Sequence, residues 1–94
     1  MKRKFKDMVY QIVIRIPRGS ILSYRDVAQK AANPKAYRAV GNILNKHNIK
    51  RLPCHRVVKS NGEVGEYRWG KKRKIFLLKK EGLKINNQGK IIVE

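Results

Sequence analysis

The stretch SYRDVAQKAANPKAYRAVGNILNK, residues 23–46, decides how this chain folds. Ser23 has N-cap chemistry, and Asp26 follows in the first turn, where the positive end of a helix dipole favours an acid. A short, Ala-rich helix is predicted over Tyr24–Ala31. Asn33-Pro34 breaks it, and Pro34 suits the first position of a second helix running from about Lys35 to Lys46, with Ala36, Ala39, Val40, Ile43 and Leu44. Two short helices joined by a tight turn, the second rich in small and basic residues, read as a helix-turn-helix. An ordinary helical hairpin is the plain alternative.

Upstream, Phe5, Met8, Val9, Ile12, Val13 and Ile16 fall on one face of an amphipathic helix, which Pro17-Arg18-Gly19 ends. Downstream, a polar loop from Asn48 to Leu52 leads into Pro53-Cys54-His55-Arg56-Val57. Val57-Val58 followed by Ser60-Asn61-Gly62 predicts a short strand and a hairpin turn. Gly65 to Gly70 is a second turn region holding Tyr67, Arg68 and Trp69. A last helix over Lys72–Glu81 carries Ile75, Phe76 and Leu78 and is stopped by Gly82. Ile85 to Val93 predicts a small hairpin turning at Asn87-Gln88-Gly89. The expected class is mainly α with short β elements.

Ninety-four residues with 41% hydrophobic content predict one folded domain with a modest core. Lys and Arg number 24 against 6 acids, a formal charge of +18. Such an excess calls for a polyanionic partner, nucleic acid above all. An anionic membrane fits less well, because the basic residues do not lie opposite one long apolar helix face. No apolar run approaches the roughly 20 residues of a membrane span. Met1-Lys2-Arg3-Lys4 is basic like the start of a signal peptide, but Asp7, Gln11 and Arg15 interrupt the segment that would have to be apolar. A cytoplasmic, reducing location is expected.

Cys54 is the only cysteine, so it forms no internal disulfide, and one Cys-His pair is too little to hold a metal. No metal or cofactor is expected. The remaining chemical use is a nucleophilic thiolate; the alternative is an inert buried hydrophobe, for which His, Arg and Pro are poor company. A thiol with a pKa of about 8.5 needs a base or a positive environment. His55 is the adjacent base, with a bridging water between side chains that diverge. A third group should orient the imidazole, and Asp7, Asp26, Glu63, Glu66, Glu81 and Glu94 are all open. On spacing alone Glu81 reads as a surface partner of Lys74 or another lysine, and Lys71–Lys74 as a solvated face.

Ile16-Pro17-Arg18-Gly19, Ser23-Tyr24, Asn33-Pro34-Lys35-Ala36-Tyr37-Arg38-Ala39-Val40-Gly41, Pro53-Cys54-His55-Arg56-Val57, Tyr67-Arg68-Trp69-Gly70 and Leu77-Leu78-Lys79-Lys80-Glu81-Gly82 occur in this order. Together they resemble the C-terminal domain of the methylated-DNA–protein-cysteine methyltransferases, the O6-alkylguanine-DNA alkyltransferases, over about residues 5 to 82. The resemblance implies a winged helix-turn-helix-like domain that moves an alkyl group from O6 of guanine in duplex DNA irreversibly to Cys54. His55 would deprotonate the thiol through water, and Glu81 would orient His55. Arg38 would fill the gap left by a flipped base, and Tyr24 would crowd the 3′ phosphate. Tyr67 and Arg68 would cover the guanine pocket, with the Val57 carbonyl reading the amino group. Ala36, Ala39 and Gly41 would let the second helix enter the minor groove, with Lys6, Arg25, Asn33 and Ser60 completing the DNA-facing set. The chemistry implied at Cys54 also predicts a thiol pKa below its reference value.

The chain also departs from the family pattern. An Asn-Pro usually precedes the cysteine at a fixed distance, its Asn tying the recognition helix to the active site. Here the loop is about one residue shorter and reads His47-Asn48-Ile49; Asn48 is the hinge candidate, with Asn45 second. The family's N-terminal domain is expected to be absent, leaving 1–94 as one stand-alone domain and a monomer. Noncatalytic relatives carry Trp at the cysteine position, and Cys54 argues against that subgroup. Three functions stay open: a single-turnover DNA-repair alkyltransferase, a non-catalytic binder of alkylated DNA, and a plain basic nucleic-acid module.

Overall fold

The computed structural model describes residues 4–92. Helix α1 spans Phe5–Ile14 and buries Val9 and Val13. It stops short of Ile16, because Pro17 pushes the residue before it out of the helical region. Arg15 and Ile16 instead close a tighter turn, their N–H groups donating to the Ile12 and Val13 carbonyls. Ile16 is still buried in the core.

Strand β1 is only Leu22–Ser23, and it pairs in parallel with β2, Val57–Val58, in the register Leu22 to Val57 and Ser23 to Val58. This pairing replaces the hairpin partner expected for Val57-Val58. The turn at Ser60-Asn61-Gly62 does form, closed by Lys59 N–H to the Glu63 carbonyl at 2.9 Å. Its far side, however, joins the C-terminal segment through a Glu63–Lys90 bridge.

Ser23 then caps α2, Tyr24–Lys30, in a complete capping box: its side chain accepts from the Asp26 N–H, and Asp26 accepts from the Ser23 N–H, each at 3.0 Å. Ser23→Ala should lower unfolding free energy by about 1 kcal/mol, the usual worth of such a cap. Urea unfolding checks this: the midpoint should fall while the slope stays unchanged.

Helix α3 spans Tyr37–Lys46, starting later than expected. The Ala36 N–H donates back to the Asn33 carbonyl, so residues 34–36 are spent on the turn and Pro34 sits before the helix. Helices α2 and α3 pack together as the helix-turn-helix, with Val27, Ala28, Val40 and Leu44 between them and α1. The same core takes in Leu52, Cys54 and Val57.

Helix α4 spans Lys71–Lys80 and buries Leu78 in a second cluster with Val58, Val64 and Ile85. It ends in a Schellman motif: Leu83 N–H donates to the Leu78 carbonyl and Gly82 N–H to that of Lys79. Gly82 has φ +99°, the left-handed region that a side chain would resist. This ending fixes Glu81 at the helix cap. Beyond it, an Ile85–Ile91 bridge forms the expected small hairpin, its turn held by the Asn86 side chain accepting from the Gln88 and Lys90 N–H groups. Val93 lies outside the described residues.

Candidate active site

Cys54 opens a single 3-10 turn, Cys54–Arg56, squeezed between Pro53 and β2. The turn aims successive side chains in different directions. Cys54 goes into the core, at 4% exposure. His55 and Arg56 reach across to the end of α4, where Glu81 meets both. His55 Nε2 lies 2.9 Å from Glu81 Oε2. Arg56 grips the same carboxylate in a fork, Nε to Oε1 at 2.9 Å and Nη2 to Oε2 at 2.8 Å. Its remaining arm donates to the Ile16 carbonyl at 2.7 Å, tying the end of α1 to the site. The Arg56 hydrogen bonds hold the Glu81 carboxyl down at about 2; burial opposes this, and the His55 hydrogen bond adds to it.

Of the five acids among the described residues, Glu81 is the one beside His55, Glu94 lying outside them, and its partners are His55 and Arg56 rather than Lys74 or another lysine. His55 Nε2 faces a carboxylate, so in the neutral imidazole the proton sits there and Nδ1 keeps a lone pair. That is the arrangement of a base oriented by an acid.

Lys74 is the largest correction. Expected on a solvated face, it is fully buried. Its ammonium donates to the Val57 carbonyl at 2.6 Å, the Glu66 carbonyl at 2.9 Å and the Tyr24 hydroxyl at 3.3 Å, and lies 5.5 Å from the Tyr24 ring centre. Three donors find three acceptors, which is what a buried cation requires. Burial brings the Lys74 pKa down to about 8, while the charges of Cys54 and Glu66 pull the other way. The Val57 carbonyl thus already accepts from a buried ammonium.

The thiol departs from expectation too. Burial pushes Cys54 up to about 11, against the pull of the Lys74 charge and a backbone hydrogen bond. At neutral pH the protein therefore holds a thiol. One polar contact of the sulfur is to a residue the sequence does not single out: His47 Nε2 stands 3.0 Å from Sγ. Asn48 makes a different contact, its side-chain oxygen accepting from Arg68 at 2.8 Å, while the Asn45 carbonyl accepts from the same guanidinium at 3.2 Å.

A cleft of about 380 Å³ lies between α3 and the Lys59–Asn61 turn. It brings together Tyr24, Arg25, Arg38, Gly41 and Ser60. Tyr24 forms one wall, its ring packed close to Gly65, where an added Cβ would come within 3.2 Å of the ring edge and hydroxyl. Burial first, then the charges of Cys54 and Glu66, lift the Tyr24 hydroxyl to about 12, so it stays protonated and able to donate. Arg25 stacks over Tyr37 with 5.0 Å to the ring centre. Arg38 and Ala39 are exposed on α3, and Asn33 and Ala36 lie in the turn just before it. Lys6 sits apart on α1, over Tyr10. Tyr67 and Trp69 stack edge to face beyond the cleft, with Tyr67 6.4 Å from the His55 ring.

Lys74 and His47 carried weak signals. Lys74 is one cation among many, and only its place on the face of α4 that also carries Leu78 hints at burial. His47 directly ends α3, where one step of register decides which side chain meets Cys54.

Among known proteins, residues 4–83 match the family described as 6-O-methylguanine DNA methyltransferase, DNA binding domain. A methylated-DNA–protein-cysteine methyltransferase of Methanosarcina mazei is 42% identical over 79 residues, covering 83% of this chain and 50% of that protein. The Homo sapiens protein of the same name is 38% identical over 85 residues, covering 89% of this chain and 41% of that one. The chain thus spans half or less of the length of these relatives. Among solved structures, Mycobacterium tuberculosis OGT in complex with DNA superposes with a TM-score of 0.77 at 36% identity, covering 86% of this chain and 50% of that one. S. pombe Atl1, in complex with damaged DNA containing O6-carboxymethylguanine, gives 0.81 at 26% identity and covers 100% of this chain and 93% of that one. With a capped helix-turn-helix leading into a buried Cys54 beside a His55–Glu81 pair, and a family match across nearly its whole length, this chain belongs to the 6-O-methylguanine DNA methyltransferase DNA-binding-domain family.

Proposed function

We propose that this protein repairs DNA by direct reversal, moving the alkyl group of O6-alkylguanine onto Cys54. The observation that carries the reading is a lone thiol buried in the core beneath a helix-turn-helix, with an imidazole–carboxylate pair on the next residue. In the reaction, sulfur forms a bond to the alkyl carbon as the bond from that carbon to O6 breaks, with the electrons leaving on guanine. The thiol proton passes through water to Nδ1 of His55, and a proton is returned to the departing guanine. Thiol and alkylguanine thus become thioether and guanine, with no electrons gained or lost and no cofactor called for.

A stacked base hides its O6 substituent, so the guanine must be turned out of the duplex, at a cost of a few kcal/mol. The exposed Arg38 is the wedge, Tyr24 crowds the 3′ phosphate, and Val57, Tyr67 and Arg68 are the pocket. Lys6, Arg25, Asn33, Ala36, Ala39, Gly41 and Ser60 lie against the backbone or the minor groove. The +18 charge supports a duplex partner. The protein acts as a cytoplasmic monomer on nucleoid DNA.

A thioether has no easy leaving route, so each molecule acts once. Mass spectrometry after incubation with duplex DNA bearing O6-methylguanine should find one methyl group on Cys54 and none beyond it. Continued turnover would overturn the irreversible transfer. The full-length match to Atl1 supports a second reading, a non-catalytic binder of alkylated DNA. An unmodified Cys54 on a protein that still binds the lesion would select it.

A further inference from the structure

Two imidazoles flank Cys54, and they are wired differently. His55 turns Nε2 to Glu81. His47 turns Nε2 to the Cys54 sulfur at 3.0 Å, while its Nδ1 accepts the Ile49 backbone N–H, also at 3.0 Å. A backbone N–H only donates, so Nδ1 must carry a lone pair. A neutral imidazole then bears its single proton on Nε2, pointing at sulfur. His47 therefore cannot take the thiol proton at that nitrogen. It can donate a hydrogen bond, and such a bond strengthens when its acceptor becomes an anion.

The surroundings hold His47 in this form. It is 3% exposed and packed edge-on by Tyr10 at 6.3 Å and Trp69 at 5.5 Å. Burial first, then the charge of Arg68, keeps its pKa below the ordinary histidine value. Arg68 is itself pinned to the Asn45 carbonyl and the Asn48 side chain on either side of His47. The other titratable groups that act on Cys54 are Lys74 from α4 and the Tyr24 and Tyr67 hydroxyls. Among these only Lys74 favours the anion, and its ammonium hydrogen bonds are directed to Val57, Glu66 and Tyr24.

We infer that His47 is a positioning residue for the nucleophile: its Nε2–H holds the Cys54 sulfur and stabilises the thiolate, while the proton itself leaves by way of His55. On ionisation the S–H bond breaks, its electron pair stays on sulfur, and the His47 proton stays on Nε2. The purpose of this device rests on the alkyl-transfer reading above. Its test does not, because thiol ionisation is a property of the protein without DNA.

With one cysteine and two histidines, the chain can be examined site by site. Nitrogen-15 spectra of the labelled histidines should show His47 protonated on Nε2 and unprotonated on Nδ1 at neutral pH. Iodoacetamide alkylation of Cys54, followed by mass spectrometry at rising pH up to the thiol's own value of about 11, should be slower at each pH in His47→Leu. The lost bond leaves about 10- to 100-fold less thiolate at a given pH. Higher intrinsic nucleophilicity partly offsets this, so the observed rate falls about 3- to 10-fold. His47→Gln, whose amide N–H can reach the sulfur, should recover most of the loss. Protonation on Nδ1, or a His47→Leu profile equal to or faster than wild type, would overturn the inference. If His47→Leu does not fold, the wild-type tautomer and the His47→Gln profile decide it. If alkylation behaves as expected but methyl transfer from DNA fails, the His47 role stands and the repair reading falls.

Discussion

Cys54→Ser should abolish alkyl transfer while leaving DNA binding within about twofold of wild type. The two halves have separate physical causes. Serine keeps the shape of the side chain, and the His47 Nε2–H still finds an acceptor, so the buried turn is not left with an unsatisfied donor. Stability should therefore change by about 1 kcal/mol at most, the scale of one neutral hydrogen bond. The hydroxyl, however, is a weak nucleophile whose proton is far harder to remove than that of a thiol. Even in wild type, burial holds the thiol up at about 11, so the site must work to ionise sulfur. Oxygen asks more of the same base. Single-turnover assays should show a loss of at least about a thousandfold, the general scale for removing a component of nucleophilic machinery. On the proposed reading, affinity for duplex rests on exposed basic groups, and the buried Cys54 side chain is not one of them. Fluorescence anisotropy on the same duplex separates the two: a serine variant that still transfers methyl would remove Cys54 as acceptor.

How much of this was legible in the sequence depended on how local the signal was. The capping box is written in Ser23 and Asp26 alone, and α2 begins where they say it does. The stop at Gly82 is equally local, and it fixes the residue beside it, Glu81. The parallel pair of β1 and β2 is different. Two-residue strands more than thirty positions apart show no periodicity, and their register follows only once the helices have packed. Lys74 shows the same limit in charge. With 24 basic residues in the chain, nothing in its type marks it, among the described residues, as the one buried whole against three acceptors. The thiol pKa was misjudged for a related reason. Arg56, two positions from Cys54, spends its hydrogen bonds on Glu81 and the Ile16 carbonyl, and burial decides the sign. His47 turns on a single step of register at the end of α3: its ring, rather than the adjacent Asn48 side chain, meets the sulfur.

Glu81→Gln should lower the transfer rate by about 10- to 1,000-fold, the usual worth of positioned acid–base catalysis. Glutamine keeps the shape and can still accept one arm of Arg56, but it cannot stabilise an imidazolium at His55. The same change should weaken the fold in a pH-dependent way. Glu81 is held at about 2 in the folded protein, against 4.5 for an unperturbed carboxyl. Its folded pKa is depressed, so its contribution is fully present above that unperturbed value and is lost as pH falls toward the folded one. With screening by solvent at a partly buried site, the contribution is on the order of 1 to 2 kcal/mol. Wild type and variant should therefore differ most in stability at neutral pH and converge near the acid end of that window. The rate loss, measured at neutral pH on protein that is still fully folded, does not follow from the stability loss. A variant that is less stable in urea yet transfers methyl at the wild-type rate would make Glu81 a latch for Arg56 and α4 and leave His55 without its orienting carboxylate. A variant slow in transfer, unchanged in duplex affinity and folded by circular dichroism would place the carboxylate in the chemistry through His55.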